Sequence, residues 1–346
     1  MESKWTPAPT VGHHPHMEQK RPLLRRFGAP LCALALLLGA VLMPRVEIKP
    51  RMKVAVSVWP GAEALVLGRD GGLLPPRRIR VVELPFASAV TRIFDDDAVD
   101  VAVLSLDGVL QLLEAGEKLR VVLVMDQSTG GDAVMARPEI QSLRDLKGKR
   151  VGVDVFGVGL YLLVNALEKE GMTLRDIQIV PLTQPEVEST FQEGGIDAAV
   201  ASEPWLTQIS GKGMRRLYDS TGLKAPILRM LVASDRACTF FAEELTLLTQ
   251  SMTKMTLQVR SGREFDGMGA VLRREKVGFD DFVKSLARWQ PLDQQQNLEM
   301  LDGPQPRIEA IARPMAEQML RHGMLQRLPE KTVWLDPQFL SKAWAP

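Results

Sequence analysis

Short apolar runs alternate with polar, glycine-containing loops along the chain, most regularly from residue 119 to 205. The apolar run 121–125 leads into the polar loop 126–132, and the runs 150–153 and 198–201 also end at Asp, Gly or Pro-containing segments. Such runs are typical of buried parallel strands that carry polar groups at their carboxyl ends. Because ligands of open α/β sheets bind at that edge, the pattern predicts a small-molecule site on a rigid sheet.

The same alternation covers most of the chain. Strands are predicted at 53–58, 79–83, 99–104, 121–125, 150–153, 177–180 and 198–201. Helices are predicted between them at 63–69, 88–94, 110–115, 160–169 and 186–192, and then in a helical tail at 245–259, 279–289 and 308–321. Two α/β series and a tail predict two lobes, with lobe 1 formed by 52–130 plus 238–346 and lobe 2 by 131–237.

Composition excludes some classes of protein. The 346 residues are 45% hydrophobic, which is typical of a folded protein, and 43 basic residues balance 42 acidic ones at a net charge of +1. This balance lacks the basic excess of a nucleic-acid-binding protein, so no nucleic-acid partner is expected. The cysteines, Cys32 and Cys238, fall in different contexts and predict no disulfide framework.

The N-terminal segment differs from the rest. Residues 1–19 are polar and rich in Pro and His, which predicts a disordered leader. Basic residues then precede the uncharged run 27–43, so 20–45 is interpreted as an export signal or a membrane anchor. The sequence therefore predicts an exported protein and leaves open whether 27–43 stays in the membrane.

Polar and aromatic residues follow the first and third predicted strands. Trp59 ends the first strand and could stack on a planar ligand or cation, or simply pack in the core. Ser105 and Asp107 follow the third strand, where they could contact a ligand or cap the next helix. Both interpretations remain open for each residue.

The loop between the two series carries Ser128 and Asp132 around the pair Gly130 and Gly131. Two glycines let the backbone approach a ligand closely or take a positive φ. The loop is interpreted as a hinge that also contributes to ligand binding.

Two more candidate sites lie in the second series. Phe156 and Gly157 open a helix, whose free N–H groups could accept an anionic or carbonyl group. Glu203 and Trp205 follow the last predicted strand, where the carboxylate could accept hydrogen bonds from a ligand.

Catalytic chemistry has little basis in this sequence. The four histidines lie in the leader (His13, His14 and His16) and near the end of the chain (His322), so the α/β part has none for a nucleophile–base pair or a metal cluster. The triplet 95–97 is read as a solvated turn, because three consecutive carboxylates cannot converge on one ion. We expect no catalytic residue, no metal site and no cofactor.

In the order and spacing of these segments, the chain resembles the substrate-binding proteins of ATP-binding-cassette (ABC) importers. The group is the nitrate, sulfonate, taurine and thiamine-pyrimidine-precursor type, and the resemblance is carried by 59–61, 105–107, 128–133, 145–153 and 197–205. The resemblance implies a type II periplasmic-binding-protein fold, with two α/β lobes, a hinge crossed twice and a helical C-terminal segment. It also implies a periplasmic location, a ligand between the lobes and an ABC permease as partner.

Carried over by position, the resemblance places seven residues at the cleft: Trp59, Ser105, Asp107, Ser128, Asp132, Phe156 and Glu203. These positions supply acids and aromatic rings but no Arg or Lys. Because buried carboxylates without a cation are costly, the expected ligand is a cation or a nitrogen heterocycle, with sulfonate or nitrate as the alternatives.

Two other functions stay open. An uncleaved anchor would suit a membrane-anchored sensor or an orphan binding protein. Some proteins of the resembled fold are pyrimidine-biosynthetic enzymes, but that chemistry would need a reactive His and a Cys-rich segment. The sequence therefore favours a binding protein that is not an enzyme.

Overall fold

The computed structural model describes residues 49–210, 212–330 and 333–340. The predicted leader, 1–19, and the predicted signal or anchor, 20–45, lie outside these residues. Within the described ranges, the structure contains no helix with the length and apolar character that a membrane span requires.

The described strands, in chain order, are β1 Met52–Ser57, β2 Ile79–Leu84, β3 Val101–Ser105, β4 Leu119–Ser128, β5 Asp132–Ala136, β6 Arg150–Val153, β7 Gln178–Pro181, β8 Ala198–Ser202, β9 Arg215–Asp219, β10 Leu228–Ser234 and β11 Trp289–Pro291. The described α-helices are α1 Glu63–Asp70, α2 Ala87–Asp95, α3 Leu106–Ala115, α4 Val158–Glu168, α5 Val187–Gln192, α6 Trp205–Ser210, α7 Asp235–Phe240, α8 Ala242–Arg260, α9 Met268–Glu275, α10 Phe279–Leu286, α11 Gln294–Leu301 and α12 Arg307–Arg321.

These strands form two sheets. The first has six strands in the order β11-β4-β10-β3-β1-β2, and the second has five in the order β7-β6-β8-β5-β9. The chain leaves the first sheet between β4 and β5 and returns between β9 and β10, so it crosses between the sheets twice, as the resemblance implied. The two sheets form the cores of two lobes.

Both sheets are buried because helices cover them. In β5, Val134 and Ala136 pack into one apolar cluster, whereas Ala133 and Met135 pack into another on the opposite face. Side chains of a strand alternate between its two faces, so a strand covered on both faces is apolar at every position. This explains the continuous apolar runs of the sequence.

Strand direction differs from the prediction for 121–125. This run lies in β4, which pairs antiparallel with β10 and β11, whereas β1, β2 and β3 pair in parallel. An apolar run reports burial on both faces and contains no information on direction, so the parallel assignment was wrong here. β4 also continues to Ser128, which leaves only residues 129–131 between it and β5.

The boundary predicted between residues 237 and 238 does not agree with the strand pairing. It assigned 228–234 to lobe 2, but β10 pairs with β3 and β4 in the first sheet. The chain therefore returns to the first sheet before Leu228. The predicted helix 279–289 is also too long, because α10 ends at Leu286 and Trp289 begins the short strand β11.

Candidate ligand-binding cleft

A cavity of about 60 Å³ lies where the carboxyl ends of β1, β3 and β8 meet, and we call it the inner cavity. Its lining comes from both sheets and their loops: Ser57, Val58, Trp59, Ala62, Ala87, Val103, Leu104, Ser105, Val158, Gln184, Ser202, Glu203, Trp205 and Arg229. Strand ends of this kind hold ligands in other α/β proteins. Four of the predicted site residues, Trp59, Ser105, Glu203 and Trp205, line the inner cavity.

Arg229 is the central cation of the inner cavity. The register of β10 places it opposite Ser105 of β3 and Asp126 of β4. Its Cζ lies 3.3 Å from the ring centroid of Trp59, and its Nη2 donates to both carboxylate oxygens of Asp132, at 2.9 and 3.1 Å. Only 8% of Arg229 is exposed. The aromatic ring and the carboxylate together fix the guanidinium in one plane.

One terminal nitrogen of this guanidinium remains available. Nη1 of Arg229 is buried and has no hydrogen-bond partner, and it lies 3.9 Å from the nearest oxygen of Asp126. A buried donor without an acceptor is costly, since desolvation is not repaid by a hydrogen bond. An acceptor on a ligand in the inner cavity would remove that cost.

Asp132 and Ser128 lie outside the lining of the inner cavity and form hydrogen bonds near it. Asp132 is fully buried and also accepts a hydrogen bond from Ser202 at 2.5 Å, because β5 and β8 place these two residues opposite each other. Ser128 is hydrogen-bonded at 2.8 Å to Ser220, in the second crossing. Neither predicted residue lines the inner cavity: Asp132 holds Arg229, which does, and Ser128 joins the two crossings.

The glycine pair behaves as the sequence predicted for a tight connection. Gly130 has a φ of 99°, a conformation that favours glycine. A Cβ on Gly131 would lie 3.0 Å from the carbonyl oxygen of Arg288 and 3.1 Å from the Trp59 ring. The first crossing therefore packs directly against the tryptophan of the site.

Asp107 lies at the start of α3, behind the cavity lining, and is 1% exposed. Burial raises its pKa to about 6, against the opposing effects of Ser105 and Arg229. Burial likewise raises the pKa of Asp126 to about 6, opposed by Arg229 and by the indoles of Trp289 and Trp59. Nε1 of Trp59 donates to Asp126 at 3.2 Å.

Glu203 connects the two lobes. It follows β8, is 1% exposed, and accepts hydrogen bonds from Arg288 at 2.6 Å and from the backbone N–H of Thr207 at 3.1 Å. Arg288 lies between α10 and β11 of the other lobe. The carboxylate is therefore already paired, which makes it a closing contact between lobes rather than a free acceptor.

Phe156 and Gly157 lie farther out. Phe156 is 65% exposed, and Gly157 is the residue before α4. Neither lines the inner cavity, although the next residue, Val158, does. Phe156 instead lines a second cavity of about 460 Å³, which we call the outer cavity.

Sequence reasoning missed Arg229, Arg288, Gln184 and Ser202. The premise that the cleft contains no Arg or Lys was wrong, because Arg229 lines it. A signal was available, since Arg229 is a lone charge in the otherwise apolar run 228–233. A charge inside a buried strand is rarely tolerated without a partner.

The described residues offer no metal centre, since no three His, Cys, Asp or Glu among them are grouped to hold an ion. Within the same ranges the cysteine is Cys238, and burial raises its pKa to about 12. A thiol of that kind is a poor nucleophile at neutral pH.

Two α/β lobes, crossed twice and enclosing a cavity, define the periplasmic binding protein fold. The alkanesulfonate-binding protein of Xanthomonas axonopodis bound to MOPS has this fold at 21% identity and a TM-score of 0.65, covering 83% of this chain and 99% of the other. The model of the NMT1/THI5-like family matches residues 79–255, which is just over half of the chain. The chain therefore belongs to the NMT1/THI5-like family.

Curated relatives support the same placement. A Brucella abortus protein named as a binding protein is 32% identical over 180 residues, or 48% of this chain and 53% of the relative. An Escherichia coli protein named as an aliphatic sulfonates-binding protein is 26% identical over 170 residues, or 47% of this chain and 53% of the relative. The chain thus spans about half the length of the curated relatives it matches.

Proposed function

We propose that this chain is an extracytoplasmic substrate-binding protein that closes its two lobes around a small organic anion of the sulfonate class and delivers it to an ABC permease. The proposal includes export through residues 20–45 and a periplasmic location, with 27–43 as the segment that would retain it at the inner membrane. The relatives named as binding proteins support this class.

One observation carries the choice of ligand. Arg229 is the basic residue in the lining of the inner cavity, and its buried Nη1 has no hydrogen-bond partner. Ser57 and Ser105 belong to the same lining, so an oxyanion there could receive hydroxyl donors besides the guanidinium. A charged donor to an oxyanion is about twice as strong as a neutral hydrogen bond.

The acids near the site do not oppose this choice. Asp132 is paired with Arg229, and Glu203 is paired with Arg288. Asp107 and Asp126 lie outside the lining of the inner cavity. The preference for a cationic or heterocyclic ligand depended on a cleft without a basic residue, and Arg229 removes that premise.

The test is a thermal-shift titration of the full chain with ethanesulfonate, putrescine, a hydroxymethylpyrimidine and nitrate. A ligand that binds only the native state raises the unfolding midpoint with the logarithm of its concentration. We expect a shift with ethanesulfonate that is lost in Arg229→Met. The matched control is Arg236→Met, because Arg236 follows on α7, where its side chain is 81% exposed.

The outcomes separate the candidate ligands. A shift with putrescine or the pyrimidine, and none with ethanesulfonate, would contradict the anionic class and restore the heterocyclic one. Loss of the ethanesulfonate shift in both arginine variants would mean that the effect is not specific to Arg229.

An enzyme is the less favoured function. His322 is the histidine of the described ranges and lies at the end of α12, bonded to Glu168, while Cys238 is buried. Neither lines the inner cavity.

A membrane-anchored sensor would use the same cleft, and detection of the uncleaved N-terminus in the mature protein would favour it.

A further inference from the structure

The inner and outer cavities are lined by residues that lie close together along the chain. Ala87 and Val158 line the inner cavity, whereas their neighbours Ser88 and Phe156 line the outer one. Between the lobes, Ser88 of α2 donates to Asp154 at 2.6 Å. The two cavities are therefore consecutive compartments of one cleft.

The sizes of the two compartments differ greatly. The inner cavity of about 60 Å³ has room for roughly five water molecules, which suits the head group of a ligand. The outer cavity of about 460 Å³ has room for a ring system. A ligand larger than its head group has to extend past Ala87 and Val158 into the outer cavity.

The outer cavity is mainly apolar on both sides. Phe86 and Ile93 line it from the first lobe, and Phe156 and Leu182 line it from the second. Phe156 is 65% exposed, so its ring is accessible to a ligand in the outer cavity. The charged residues of the same lining are Arg92, Asp154 and Glu186, so the outer cavity has no excess of positive charge for a second anionic group.

The loop that carries Phe156 is held in place. Oδ1 of Asp154 accepts the backbone N–H of Phe156 at 3.1 Å, while Oδ2 accepts the hydroxyl of Ser88. One carboxylate thus fixes the backbone of Phe156 and ties its loop to the opposite lobe. A loop whose backbone is already held loses less conformational entropy when its aromatic side chain contacts a ligand.

We propose that the outer cavity binds the organic substituent of the same anion, and that this substituent is an aromatic or branched hydrocarbon. This inference rests on the proposed function. Arg229 then selects the head group and Phe156 selects the substituent. The ligand class becomes bulky organosulfonates rather than short ones such as methanesulfonate.

The test compares two probes on the full chain by isothermal titration calorimetry: methanesulfonate and naphthalene-2-sulfonate. We expect the naphthalene compound to bind at least about tenfold more tightly, and Phe156→Ala to remove about tenfold of that affinity while leaving methanesulfonate unchanged. Phe156→Leu should keep part of the preference. Phe240→Ala is the matched control, since Phe240 is 50% exposed and lines neither cavity.

The possible outcomes distinguish failure of this inference from failure of the proposed function. Equal affinities for the two probes, unchanged by Phe156→Ala, would overturn this inference while leaving the sulfonate function intact. Binding of neither probe would reject the proposed function, and the inference with it. An equal loss in Phe156→Ala and Phe240→Ala would also overturn the inference, because the effect would not come from the outer cavity.

Discussion

Asp107 offers a direct test of the electrostatics beneath the cleft. The carboxyl is 1% exposed and neither oxygen has a hydrogen-bond partner. Its pKa rises from 3.8 to about 6 because burial penalises the charged form. The native state therefore binds more protons than the unfolded state between about pH 4 and pH 6.

The sign and size of the effect follow from this shift. When the native pKa of an acid is raised, its contribution to stability is complete below the unfolded pKa and is lost as the pH rises through the native pKa. Each pKa unit corresponds to about 1.36 kcal/mol. Ionised Asp107 should therefore lower the free energy of unfolding by about 3 kcal/mol at pH 7.5.

Asp107→Asn removes the charge and keeps the shape. Its free energy of unfolding, relative to that of the wild type, should rise by about 2.5 kcal/mol between pH 4 and pH 7.5, because about 0.5 kcal/mol of the effect already lies below pH 4. Comparison across pH cancels the fixed difference between a buried amide and a buried acid. The assay is urea unfolding, followed by tryptophan fluorescence, at four pH values over this range.

Asp100→Asn serves as the control. Asp100 is also buried, at 8% exposed, but it accepts hydrogen bonds from the backbone N–H of Lys53 at 2.8 Å and from Arg236 at 3.3 Å. No comparable gain is expected for this variant. Parallel curves for the wild type and Asp107→Asn would refute the reasoning, because they would mean that the Asp107 carboxylate is hydrated or paired in solution.

Two further predictions concern packing and closure. In Gly61→Ala, the added Cβ would lie 2.5 Å from Oδ2 of Asp126 and 2.7 Å from Nε1 of Trp289. We therefore expect the free energy of unfolding, measured in urea, to fall by about 1–3 kcal/mol. An unchanged unfolding midpoint would contradict this packing. Glu203→Gln weakens the contact to Arg288 between the lobes, so the closed state should be less populated and ligand affinity about tenfold lower. Calorimetry measures that affinity, and an unchanged value would mean that the contact does not control closure.

The parts of the site that depend on local sequence could be predicted. Trp59, Ser105 and Glu203 each lie at or just after the end of a strand, and a strand end can be recognised from the adjacent Pro, Gly or Asp without knowledge of the fold. Parallel strands of one sheet end at the same edge, which brings Trp59 and Ser105 of the first sheet together; Glu203 reaches the inner cavity from the second sheet. The same argument explains why the two-lobe architecture was accessible from sequence.

Arg229 could not be placed in this way. Its position depends on β10 inserting between β3 and β4, which sets it opposite Ser105 and Asp126. The register of β10 is set only after the chain has returned from the second lobe. No local pattern near residue 229 specifies which residues lie opposite Arg229. The error in strand direction for β4 has the same origin, because direction is also a property of the returning strand.

Arg229 also explains why the sequence favoured a cationic ligand, whereas the structure supports an anionic one. Asp126 and Asp132 form ion pairs with Arg229, and Asp107 lies near enough for the charge of Arg229 to act on it; without a cation these acids would favour a positively charged ligand. Arg229 supplies that cation, pairs with Asp132 and stacks on Trp59. The acids then hold the guanidinium of Arg229, which is the basic residue in the lining of the cavity. Carboxylates near a binding site therefore indicate the charge of the ligand only after their protein partners have been identified.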